Sequence, residues 1–324
     1  MNCFNPVKIT LTDEERARRL ALPENYPLLY RMATFVYVPC GKCEACLSKR
    51  KSDWFVRLKK EYEHSESSYF VTLTYDDANL NYELKRVDGS LSLLPSVSKK
   101  DCQLFLKRFR KAIQPFKIRY FLISEYGPRT LRPHYHMLLF GFPKILERNL
   151  YDYLFNAWGN GFISYSPVTD ARIGYCVSYC LDSSSLPPGF EKNFMLCSRK
   201  PGLGSVLLDD GTLCDYIVNS EMHSVPIYSD GKTKKFPAPR YYKDKLFDRD
   251  LKDQIACDGI IKHSKEISEL IRFQKEWLES KGLEVNSFNL HREFDGSPLS
   301  LKRQSEESFK KKVRNKNKMN KKKL

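Results

Sequence analysis

RPHYHMLLFG, residues 132–141, is an apolar run opened by Arg-Pro and interrupted by two histidines. Its composition reads as a β-strand. On a strand, side chains at i and i+2 share a face, so His134 and His136 can reach one ion while Tyr135 points to the other side. A second apolar run, IRYFLISEYG (118–127), lies just upstream, joined by the short turn-rich PRTLRP (128–133). The two form an antiparallel hairpin on this reading, and the hairpin brings Glu125 beside His134. Two imidazoles and a carboxylate leave positions open for water and phosphate oxygens, a set that suits Mg²⁺ or Mn²⁺. The spacing leaves a blander reading open as well, with an incidental His-x-His pair and a solvated Glu125.

Working outward, SYFVTLTYDD (68–77) reads as another strand, and KDCQLFLKRFRKAIQPF (100–116) as an amphipathic helix with Leu104, Phe105, Phe109 and Ile113 on its core face. LERNLYDYLFNAW (146–158) and TDARIGYCVSYCLD (169–182) read as two further helices. This order predicts an α+β fold, one central antiparallel sheet with helices packed on a face. In the last helix Tyr175 and Tyr179 are four residues apart, which puts both hydroxyls on one face. Such a pair packs a core in many helices. It also suits phosphoryl chemistry, since a tyrosine is a competent nucleophile toward a metal-polarised phosphate.

Upstream, LYRMATFVYVPC (29–40) reads as a strand running into CGKCEAC (40–46), and LSKRKSDWFVRLKKEYEHS (47–65) as a helix. Cys40, Cys43 and Cys46 can converge on one structural Zn²⁺, with Cys3 as the fourth ligand and His64 as the alternative. An iron–sulfur cluster and plain buried thiols are the other readings. Residues 206–300 give little signal, and CSRKPGLGS (197–205) and PAPRYYKDKLF (237–247) read as basic loops. The expected organisation is an N-terminal arm with the cysteine cluster (1–66), a core (67–205), a C-terminal region of unclear role (206–300) and a disordered basic tail (301–324).

The 324 residues carry a formal charge of +16, which points to a polyanionic partner. Eleven Lys or Arg against two Glu give residues 301–324 a net of +9, so the tail reads either as a solubilising end or as a nonspecific DNA tether. No stretch approaches the roughly 20 apolar residues of a membrane span. The start MNCFNPVKITLTDEERARRL lacks the apolar core of a signal peptide. A cytoplasmic protein is the expectation.

Taken together these residues resemble the HUH endonuclease superfamily, and within it the replication initiation proteins of the gokushovirus group of small icosahedral single-stranded DNA phages. The resemblance is carried by VPCGKCEACLSKRKSDW, FVTLTYDD, SEYGPRTLRPHYHMLLFG, YCVSYC and SRKPGLGS. It implies His134, His136 and Glu125 as metal ligands and Tyr175 and Tyr179 as nucleophiles. It also implies a nick that leaves a 5′-phosphotyrosine link and frees a 3′-OH primer for rolling-circle replication in the bacterial host cytoplasm. The partners implied are single-stranded DNA, an origin hairpin and the host helicase and polymerase, with Arg132, Arg199 and Lys200 as expected DNA contacts. In related families a lysine lies between or just after the tyrosines. Here Ser178 and Asp182 hold those places, leaving Arg132 or Arg172 as candidate cations. Rival readings are a plasmid relaxase or transposase of the same superfamily and a noncatalytic zinc-containing DNA-binding protein.

Overall fold

The computed structural model describes residues 3–179, 186–220, 222–229, 231–286 and 289. The expected basic tail, residues 301–324, lies outside the described residues, as do Cys180, Asp182 and the side chain of Tyr179. The chain divides into two compact units, one of residues 1–49 and 247–324 and the other of residues 50–246.

In the first unit β1 (Val7–Thr10) leads to α1 (Asp13–Leu20), a helix built by its own charges. The Thr12 hydroxyl caps its N-terminus by accepting from the Glu15 N–H, acids fill its first turn, and Arg18 and Arg19 sit in its last. The segment 29–40, expected as one strand, instead divides into α2 (Leu28–Arg31) and β2 (Phe35–Val38), and only the second part pairs with β1. Pro27 explains the break. It starts a helical turn, its carbonyl accepting from the N–H groups of Tyr30 and Arg31.

Helix α3 (Glu44–Glu63) crosses the boundary between the units. The second unit then runs β3 (Ser68–Tyr75), the hairpin β4 (Tyr82–Val87) and β5 (Ser90–Pro95), α4 (Lys99–Ala112), β6 (Arg119–Tyr126) and β7 (Pro133–Phe140). It continues with α5 (Leu150–Trp158), β8 (Gly161–Pro167), α6 (Asp170–Tyr179), β9 (Met195–Cys197), α7 (Gly211–Asn219), the hairpin β10 (Ser224–Ser229) and β11 (Lys232–Pro237), and α8 (Arg240–Leu246). The 32-residue helix α9 (Arg249–Ser280) belongs to the first unit. There Asp253 is buried and accepts from Arg18 and Tyr30.

The α+β architecture is the expected one. Its centre is a five-stranded antiparallel sheet in the order β8-β3-β7-β6-β9. Helices cover both faces rather than one. Strict alternation along β3 and β7 makes this possible, because each strand sends one apolar set to each side. Val71, Leu73, Tyr75, Leu122, Tyr135, Met137 and Leu139 meet α4 and α5 on one face. On the other, Phe121, Ile123, Leu138 and Phe140 meet Leu58 of α3 and Ile173, Cys176 and Val177 of α6.

In α4 the buried stripe is Cys102, Phe105, Leu106 and Phe109, continued by Ile113. Leu104, expected on this face, is 39% exposed because the stripe passes through Cys102 and Leu106 instead. The segment 237–247, expected as a loop, contains α8, which begins immediately after Pro239; the carbonyl of that proline accepts from the N–H groups of Tyr242 and Lys243.

A buried ion pair fastens the turn after β9. Glu61 is 2% exposed, bonds to Arg119 and accepts from the Gly204 N–H at 2.7 Å. Arg119 in turn donates to the carbonyls of Pro201 and Gly202. Removing the carboxylate strands a guanidinium and an amide N–H together. Glu61→Ala is expected to destabilise the protein by about 3 kcal/mol and to lower the thermal midpoint by several degrees in a calorimetric scan.

Candidate metal and nucleophile site

The pairing of β6 with β7 places Glu125 directly opposite His134 and Ile123 opposite His136. On the other side of β7, Thr74 faces His134 and Thr72 faces His136. All six side chains therefore emerge on one face of the sheet. The Thr72 hydroxyl lies 3.0 Å from His136 Nδ1 and the Thr74 hydroxyl 3.0 Å from His134 Nδ1. With each Nδ1 engaged by a hydroxyl, each Nε2 is the nitrogen left to face a ligand. The sequence reading missed both threonines. Their signal was present in FVTLTY, where polar residues recur every second position beside an aromatic.

Glu125 is 8% exposed, and its carboxylate does not stay with the histidine across from it. It reaches His136 Nε2 at 3.2 Å, and the same oxygen, Oε2, accepts a hydrogen bond from the Tyr175 hydroxyl at 2.8 Å. Tyr175 arrives on α6, and its ring stands edge-on to both His136 and Phe70. Phe70 stacks on His136 with ring centres 5.4 Å apart. The structure thus gathers His134, His136, Glu125 and Tyr175. Tyr179 is the last residue of α6, one turn beyond Tyr175. Burial, and then the nearby His136, lower the His134 pKa from its ordinary value against the opposing pull of Glu125, so His134 is neutral at pH 7 with a lone pair to offer.

The remaining expected residues lie apart from this group or are otherwise engaged. Arg132 donates to the Tyr75 carbonyl at 3.1 Å and to Asp77 at 2.6 Å, tying the end of β3 to the start of β7. Arg172 donates to the Pro167 carbonyl, and its guanidinium lies over the Phe70 ring at 5.7 Å. Arg199 and Lys200 are exposed on the turn that Glu61 and Arg119 hold.

In the first unit, Cys3, Cys40, Cys43 and Cys46 bring their sulfurs within 4.8 Å of one another. Among the described residues they are the one set of three or more histidine, cysteine or carboxylate donors gathered that tightly, and the His134–His136–Glu125 group is more open. Cys3, not His64, is the fourth member; His64 bonds the Lys60 carbonyl through Nδ1. Main-chain N–H groups point at the sulfurs, from Cys40 to Cys3, from Lys42 and Cys43 to Cys40, and from Phe4 to Cys43. Burial works to raise the Cys43 thiol, but the N–H groups of Phe4 and Cys46 and the neighbouring thiols bring it down to about 6. Four sulfurs so arranged can hold a zinc ion.

Residues 68–184 match the model of the family described as Replication-associated protein ORF2. The chain belongs to this family. Its relatives include the Replication-associated protein ORF2 of Spiroplasma virus 4, 26% identical over 75% of this chain and 78% of the relative. Another is the Replication-associated protein VP4 of Bdellovibrio phage phiMH2K, 23% identical over 83% of this chain and 85% of the relative. The Replication-associated protein ORF4 of Chlamydia phage 1 is 28% identical over 44% of this chain and 37% of the relative. The N-terminal nuclease domain of minute virus of mice non-structural protein 1 aligns over 52% of this chain and 83% of its own with a TM-score of 0.20 and 11% identity. A score that low does not establish a shared fold. The chain is thus a phage replication-associated protein, and no described helix is long and apolar enough to cross a membrane.

Two measurements probe the two clusters. Elemental analysis of the purified protein is expected to find about one zinc per chain, and Cys43→Ser is expected to lose that metal together with thermal stability; full retention of both would rule out a structural metal. Thr72→Val keeps the side-chain shape but removes the oxygen at His136 Nδ1. It is expected to weaken Mn²⁺ binding roughly tenfold in a calorimetric titration, whereas an unchanged affinity would show that the hydroxyl does not orient the ring.

Proposed function

We propose that this protein is a metal-dependent nicking enzyme that cuts one unpaired DNA strand and keeps the new 5′ end as a tyrosyl ester. The observation that supports this best is the run of contacts from Tyr175 through Glu125 to His136. It places a hydroxyl nucleophile against two imidazoles whose Nε2 atoms face the same side. The donor set of His134, His136 and Glu125 suits Mg²⁺ or Mn²⁺, which when bound would polarise the scissile phosphate and offset its developing charge.

The chain's own groups then divide the remaining work. Thr72 and Thr74 fix the imidazole orientations. Glu125 holds the Tyr175 hydroxyl at the site and is the nearest acceptor for its proton, a role that answers for the missing lysine. The tyrosine oxygen forms a bond to phosphorus as the bond from phosphorus to the 3′ oxygen breaks, and that oxygen leaves as a 3′-OH once protonated. The ester conserves the phosphodiester, so rejoining needs no nucleotide cofactor. Tyr179, one turn along, is the second nucleophile in this reading and would cut the regenerated origin while the first ester is displaced. Freed 3′ ends would prime a host polymerase, which fits a replication protein of a small phage. The cysteine cluster serves as a structural zinc site, and Arg199 and Lys200 contact the DNA backbone.

The test is an adduct assay with Mn²⁺ on single-stranded DNA of the phage that carries this protein. The wild type is expected to give a protein band linked to the 5′ end of cleaved DNA, mapped to Tyr175 or Tyr179. The double variant Tyr175→Phe/Tyr179→Phe is expected to give none, and His134→Ala or His136→Ala to abolish nicking with the fold intact. Cleavage without an adduct would point to an activated water instead, and an adduct on another residue would overturn the tyrosine assignment.

A further inference from the structure

The sheet face that carries the histidine pair does not end at β3. The edge strand β8 continues it, with Phe162 opposite Thr74, Ser164 opposite Thr72 and Ser166 opposite Phe70. Phe162, Thr74, His134 and Glu125 therefore form one row across four strands. Helix α6 packs on the β6 and β7 side of this face. On the β8 side Phe162 and Ser164 are exposed. The result is a strip floored by small hydroxyl residues, Thr72, Thr74 and Ser164. Phe162 stands at one end and Arg172, over Phe70, at the other.

Phe162 is 66% exposed, yet its backbone is held in place. Gly159 ends α5 in the left-handed conformation, and the Asn160 carbonyl accepts from the Asp76 N–H at 3.0 Å. Gly161 has φ +137°, and a Cβ there would lie 2.2 Å from the Asp76 nitrogen. Only glycine fits that approach, so the chain fixes where the next side chain emerges. A phenyl ring so positioned, left in solvent two strands or about 10 Å from His134, is what a base-stacking platform requires. Stacking on an aromatic is tolerant of sequence and adds to an electrostatic hold on the backbone.

We infer that the strip along β8 seats the unpaired DNA strand next to the cleaved phosphate, with Phe162 stacking a base of a neighbouring nucleotide and Arg172 facing the backbone. The inference rests on the nicking reading above and extends it by naming a positioning residue. Single-stranded DNA is the occupant that fits. The strip is continuous with the histidine site, it offers one aromatic and one cation rather than a broad apolar patch, and the chain carries +16.

The experiment measures binding of a fluorescent oligo(dT) 20-mer to the full-length protein by anisotropy in Mg²⁺-free buffer, so that binding is read without cleavage. Phe162→Ala is expected to weaken binding on the order of tenfold, and Phe162→Leu, apolar but unable to stack, by a similar factor. Phe162→Trp is expected to bind within about twofold of wild type, with its added indole emission quenched by the oligonucleotide. Ile145→Ala, an exposed apolar residue on the short 3₁₀ turn after β7, is expected to change nothing. Thermal midpoints equal to wild type exclude a folding defect at so exposed a site. Wild-type affinity in Phe162→Ala, or unquenched emission in Phe162→Trp, overturns the inference. If wild type forms the tyrosyl adduct while Phe162→Ala binds normally, only this inference fails. If no adduct forms in wild type but Phe162→Ala still weakens oligonucleotide binding, the nicking reading fails and the DNA seat stands.

Discussion

The register between β6 and β7 is the constraint on which the site depends. Glu125 is opposite His134 and Ile123 opposite His136, so a carboxylate and two imidazoles share a face with the threonines of β3. A slip of one residue would turn the histidines toward α4 and α5 and bring Tyr135 into their place. Burial on both faces prevents that slip, since each face of β7 is matched to a different apolar set. The polar group is therefore positioned by the apolar residues that alternate with it, and its geometry is as firm as the packing of the sheet.

The same alternation separates the tyrosines by role. Tyr135 lies between the two histidines in sequence but faces the opposite side, where its hydroxyl meets Tyr75 and accepts from the Ser98 N–H. Tyr75 donates to Asp101, and burial pushes both phenols well above their ordinary value. These hydroxyls are locked into a buried network and stay protonated. Tyr175 is only partly buried and directs its hydroxyl to Glu125, beside His136. Among the described tyrosines it is the one whose hydroxyl bonds a carboxylate that also contacts the histidine pair.

The strands of the core were legible because β3, β6 and β7 have patterns that only a sheet satisfies, and turn chemistry between β6 and β7 left one sensible hairpin. The histidine pair and Glu125 followed from that hairpin. What the sequence did not show depends on contacts distant along the chain. The edge strands β8 and β9 are short and lack strong alternation, and their place is set by β3 and β6. The hairpins β4–β5 and β10–β11 are polar on much of their surface, so periodicity is weak. Helix α9 was missed because its apolar residues are sparse along its 32 positions. The strand expected at 29–40 failed because Pro27 starts a helical turn that propensity alone does not predict. Phe162 went unnoticed because a lone aromatic on a short edge strand has no signature; its meaning comes only from the row it shares with His134.

The reading of the tyrosine helix as a packing element and its reading as a catalytic one turn out to describe the same helix. Ile173, Cys176 and Val177 bury the inner face of α6 against the sheet, which is what a core stripe does. At its first turn Lys59, buried on α3, holds Asp170 at 2.6 Å, and Ser229 of β10 donates to the other carboxylate oxygen at 2.7 Å. A nucleophile displaced by an ångström loses much of the benefit of being held at all. The apolar seating and the Lys59–Asp170 pair therefore act on chemistry through placement, by fixing the helix that carries Tyr175 against the strand that carries Glu125. Packing and function compete as interpretations of YCVSYC only while the sequence is read alone; in the folded chain the first is the means of the second.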